Sequence, residues 1–129
     1  MNQVSESGSI SAFVVGMVLT LMSCSALVID GGNVVAQYLR YADLAENAAR
    51  SGTQELRSLR SGSPTIDSTR ARQAALTYLA SHGASGEVDV QNNSIVVTIR
   101  ASIGFVLLNV IGLRETSITV TRSAEPVTA

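Results

Sequence analysis

The sequence predicts an α+β fold: a long N-terminal transmembrane helix, a second short helix and a small antiparallel sheet of about three strands. Three observations predict it. Residues 8–29 form an apolar run with no charge between Glu6 and Asp30. Beyond that run, apolar positions recur at steps of three or four as far as Leu59, the period of a helix face. From Gly86 onward apolar and polar residues alternate, the period of a strand with one buried face.

The apolar run is long enough to cross a hydrocarbon core of about 30 Å at about 1.5 Å per helical residue. Lipid offers no partner for backbone N–H and C=O groups, so a lone segment there must be helical. Phe13, Val14, Val15, Met17, Val18 and Leu19 place apolar side chains on every side, unlike the single stripe of a surface helix. A cleaved export signal is the competing reading. Residues 1–7 hold no Lys or Arg, and the run exceeds an apolar signal core of about 7–15 residues, which favours a spanning helix. Ala12, Gly16 and Thr20 form overlapping small-xxx-small steps, which allow helices to approach closely in lipid. Packing against other helices and the ordinary small-residue content of a spanning helix both fit them.

Asp30, Gly31 and Gly32 end the run. Each glycine costs a helix about 1 kcal/mol relative to Ala, so these three residues mark the expected membrane boundary and a hinge. A charge at that depth fits either a contact with a neighbouring copy or a polar stop at the headgroups. Helical periodicity then resumes, with Ala42, Ala45, Ala49 and Gly52 on its apolar stripe. So many small residues suit close contact with another helix or a thin sheet. One helix from about residue 9 to about residue 59 is expected, stopped by Ser61, Gly62, Ser63 and Pro64. The expected division is 1–33, the N-terminal segment and spanning helix, and 34–129, an α+β domain that includes the helix continuation.

Asp67 or Ser68 caps the second helix, whose apolar face is Ala71, Ala74, Ala75, Tyr78 and Leu79. His82 and Gly83 close it. Val88 and Val90, then Ile95, Val97, Ile99, Ala101 and Ile103, form the inner face of a hairpin turned at Asn92 and Asn93. Ile118 and Val120 supply a third strand. Residues 104–113 are uncharged and rich in Val, Leu and Ile. They are too short to span a membrane as a helix. Core packing is the first expectation for them, with a membrane-surface dip and a contact between copies as the others.

Composition narrows the function classes. Nine basic residues, all Arg, against ten acidic ones leave a net charge near zero, so no nucleic-acid partner is expected. A single cysteine, Cys24, excludes a disulfide within the chain, and one histidine, His82, excludes a His-rich metal cluster. Leu21, Met22, Ser23 and Cys24 resemble a lipoprotein acylation box only faintly, with bulky Met22 against it. Glu87 and Asp89 share a strand face without an evident basic or metal-binding companion, the pattern of a solvated face rather than an acid–base pair. Gly31 and Gly32 lack the preceding strand of a phosphate-binding loop. No catalytic residue, cofactor or metal is expected, and no enzymatic activity.

The order Gly8-Ser9-Ile10-Ser11-Ala12-Phe13-Val14-Val15, Leu27-Val28-Ile29-Asp30-Gly31-Gly32, then Ala42-Asp43-Leu44-Ala45-Glu46-Asn47-Ala48-Ala49-Arg50-Ser51-Gly52 resembles the N-terminal pattern of TadE/TadG-like pilus-assembly proteins. A looser likeness continues through the hairpin to Ile111, Gly112 and Leu113. The resemblance implies a single-pass, pilin-like membrane protein, a structural or assembly subunit of Flp-type (Tad) adhesion pili at the cell surface. It implies the membrane and other pilus or pilus-assembly subunits as partners, further copies of the chain among them, with the C-terminal domain outside. Where a type IV pilin carries Glu five residues after its cleavage glycine, Phe13 follows Gly8, so N-terminal processing stays open. A membrane-anchored extracytoplasmic binding module that does not polymerise is the alternative.

Overall fold

The structure, a computed structural model, describes residues 6–58, 68–91 and 93–126. It is an α+β fold. Helix α1 is Glu6–Ser58 and helix α2 is Ser68–Ser81. Strands β1 (Gly86–Gln91), β2 (Ser94–Gly104) and β3 (Glu115–Ala124) form one antiparallel sheet in the order β1-β2-β3. A 3₁₀ turn, Leu108–Ile111, lies in the β2–β3 connection. The expected helix stop at residues 61–64, the cap at Asp67 and the turn residue Asn92 lie outside the described residues.

Two compact units divide the chain: residues 1–35 with 104–115, and residues 36–103 with 116–129. Residues 104–115, assigned from the sequence to 34–129, therefore group with the N-terminal part of α1. Helix α1 runs unbroken through Gly31 and Gly32.

In the second unit, alternation along the strands decides which face is covered. Ile95, Val97 and Ile99 of β2 are buried together with Val88 of β1 and Val120 of β3, and Ala42, Ala45, Ala48, Ala49, Ala71, Ala75 and Leu79 of the two helices pack in the same core. The β1–β2 register pairs Val88 with Val97 and Val90 with Ile95, so the apolar positions of the hairpin fall opposite one another and share a face. Small helical side chains let the backbones come close. A Cβ on Gly52 would stand 2.5 Å from Ile95 Cδ1 and 2.9 Å from the Ala71 carbonyl oxygen. Only glycine fits where α1, α2 and β2 meet.

Helix α2 ends on Gly83, in the left-handed region at φ 68°. The N–H groups of Gly83 and Ala84 donate to Ala80 O and Leu79 O, which satisfies carbonyls that the last turn leaves open. His82 stacks on Tyr78 with ring centroids 4.3 Å apart, and its Nδ1 is 2.9 Å from Tyr78 O.

Candidate functional site

The first unit joins the apolar part of α1 to the β2–β3 connection. Between residues 8 and 29 nearly every side chain is exposed, including Phe13 at 71% and Val28 at 73%. None of the most apolar window of this helix is buried inside the molecule. The helix is long and apolar enough to cross a membrane. Three of its hydroxyls are turned back on its own backbone: Thr20 Oγ1 donates to Gly16 O at 2.8 Å, Ser23 Oγ to Leu19 O at 2.8 Å and Ser25 Oγ to Leu21 O at 2.9 Å. Such bonds pair polar groups within the segment, as a medium without water requires.

Asp30, one residue past the apolar run, is 1% exposed. Its Oδ1 accepts from Val106 N at 3.0 Å, and its Oδ2 accepts from Leu107 N at 2.9 Å and Leu108 N at 2.6 Å. Three consecutive backbone N–H groups turned toward one point form a concave anion-binding nest. These donors stand at the start of the 3₁₀ turn, where helical geometry leaves N–H groups unpaired, and the turn has no side-chain cap of its own at Leu107. Asp30 caps it from α1. The turn then closes on Gly112 at φ 93°, with Gly112 N donating to Asn109 O and Leu113 N to Leu108 O. Below it, Phe105 N donates to Arg114 O at 2.8 Å and ties the ends of the connection together.

Two expectations change here. Asp30 is buried rather than a solvated polar stop, and both its oxygens accept from backbone donors of its own chain. Residues 104–113 are not core: Leu108 is buried, but Val106, Val110, Ile111 and Leu113 are 69%, 86%, 73% and 51% exposed. Apolar content alone cannot distinguish a covered segment from an uncovered one, which is why core packing was the first expectation. Nothing in the sequence flagged Val106, Leu107 and Leu108 as partners of Asp30, since the donors are backbone groups.

The small residues expected to pack helices fall into two sets. Ala12, Gly16 and Thr20 are exposed on the apolar run. Ala42, Ala45, Ala49 and Gly52 are buried, and the three alanines belong to the core of the second unit. Gly31 and Gly32 are exposed, and a Cβ on either would meet nothing within 4 Å.

The acidic pair is also corrected. Glu87 has a basic companion in Arg100, whose Nη1 is 3.1 Å from Glu87 Oε1, and Asp89 lies 3.9 Å from Arg72 Nη2. All four side chains are more than half exposed, so these are surface ion pairs of small energetic weight. Among the described residues no three of His, Cys, Asp and Glu are placed to hold a metal ion.

Comparison of the chain with protein-family profiles, with curated proteins and with solved structures finds no match in any of the three.

Proposed function

We propose that the protein is a single-pass, pilin-like structural or assembly subunit of a bacterial Flp/Tad-type surface pilus, anchored by residues 8–29 with its α+β domain outside the membrane. One observation carries the reading: among the described residues, nothing buries the most apolar stretch of α1. It must meet its solvent elsewhere, first in lipid and then among neighbouring helices. The resemblance of residues 8–15, 27–32 and 42–52 to TadE/TadG-like proteins supplies the pilus context. Because lipid tails are as apolar as the helix, exchange of lipid for helices gains little from the hydrophobic effect and rests on close packing. Ala12, Gly16 and Thr20 are the exposed small residues that would permit it.

A second reading, a membrane-anchored binding module that does not polymerise, is favoured by a separate observation. Ala42, Ala45 and Ala49 are spent in the protein's own core, which removes them from contact between copies. Sheared cell-surface material, imaged and analysed by mass for the mature N-terminus, separates the two. Filaments that contain the chain, and that disappear with Gly16→Leu, support the pilus subunit. A chain that stays in the membrane fraction, with filaments unaffected by Gly16→Leu, overturns it in favour of the anchored module. Ala49→Leu is unsuitable for this test, because it strikes the fold.

A further inference from the structure

We propose that the β2–β3 connection, residues 105–113, is a second membrane contact: an apolar loop seated in the interfacial layer of the bilayer beside α1 and held at that depth by Asp30. The inference rests on the membrane-spanning reading of residues 8–29 and adds a second element to it.

Position is the first ground. Asp30 is the first charge after the apolar run, so in a spanning helix it stands where hydrocarbon gives way to headgroups. The loop is bonded to that residue through three successive N–H groups and belongs to the same compact unit as the run. Ala26 and Val34, one helical turn to either side of Asp30, are only partly exposed, while Val28, Ile29 and Val35 are open. Through Asp30 the loop is thus tied to the helix at the end of its apolar run, the depth at which a spanning helix meets the interfacial layer.

Chemistry is the second ground. Residues 104–113 carry no charge, and Arg114 follows them directly, an arrangement suited to apolar groups in the interface with a cation at the phosphates. Val106, Val110, Ile111 and Leu113 together present an apolar patch of the kind that marks a lipid or protein contact. Backbone pairing is the third ground. Besides the three N–H groups on Asp30, those of Val110, Gly112 and Leu113 donate to carbonyls within the segment, and that of Phe105 donates to Arg114 O just beyond it. An irregular segment enters a water-poor layer only when its backbone groups are paired in this way.

The test uses the full chain in phosphatidylcholine–phosphatidylglycerol vesicles, in a Cys24→Ala background. An environment-sensitive fluorophore is attached after Val110→Cys, Val18→Cys or Thr119→Cys, all at exposed positions, and lipids carry a nitroxide near the headgroup or deep in the chain. A blue shift and headgroup-nitroxide quenching at position 110, with deep quenching at 18 and none at 119, support the proposal. Deep quenching at 18 with a water-like, unquenched label at 110 overturns the loop contact and leaves the spanning helix intact. A blue-shifted label at 110 that only chain dilution reverses, without nitroxide quenching, overturns it in favour of a contact between copies. Water-like labels at both 18 and 110 overturn the spanning reading and the loop contact together.

Discussion

Asp30 links two segments 76 to 78 residues apart through acceptor oxygens alone. Asp30→Ala leaves the N–H groups of Val106, Leu107 and Leu108 without partners. Loss of their acceptor frees these amides to open locally, so their hydrogen exchange in detergent micelles should accelerate by about tenfold or more. Amides of β2 between Ile95 and Ile99 should change far less. Asp43→Ala, at an exposed position of the same helix, is the matched control and should leave the three amides as they were. Asp30 was legible as an unusual charge because the flanking residues are apolar. Its partners were not, because a backbone N–H looks the same at every position in a sequence.

Helix α1 serves two different surroundings, and its sequence changes to suit. Up to Ile29 its large residues are apolar and exposed; from Ala42 to Gly52 the inward positions shrink to Ala and Gly so that the backbone can lie close to β2 and α2. Gly52→Val would drive methyl groups into Ile95 and the Ala71 carbonyl, and it should destabilise the folded domain by about 1–3 kcal/mol, measured by thermal or urea unfolding in detergent. Ile99→Ala, at a position 1% exposed, removes core volume and should cost about 2–5 kcal/mol in the same assay. A Cβ on Gly16 would meet nothing within 4 Å, so Gly16→Leu should leave unfolding within about 0.5 kcal/mol of the parent. The elements themselves were legible, because periods of 3.6 and 2 reflect the faces that must be covered: Val88, Ile95, Val97, Ile99 and Val120 are buried where alternation placed them. Residues 104–113 were not, because an apolar run reads alike whether protein or lipid covers it.

At the scale of the whole molecule, the exposed apolar surface of α1 is what the fold leaves unfinished. A water-soluble chain would hide Phe13, Val18, Leu21 and Val28; here all four are open. Overexpressed in bacteria, the full chain should therefore stay with membranes through an alkaline carbonate wash and leave them only in detergent, as followed by immunoblot. Cys24 offers the most direct measurement. It lies within the apolar run and is exposed in the folded protein, so only surrounding lipid or neighbouring helices can shield its thiol. In proteoliposomes that carry Thr119→Cys as an internal reference on the exposed sheet surface, a charged, membrane-impermeant maleimide should label Cys24 at least about tenfold more slowly than position 119. Equal labelling rates would mean that residues 8–29 stand in water, and the membrane-spanning helix would have to be abandoned.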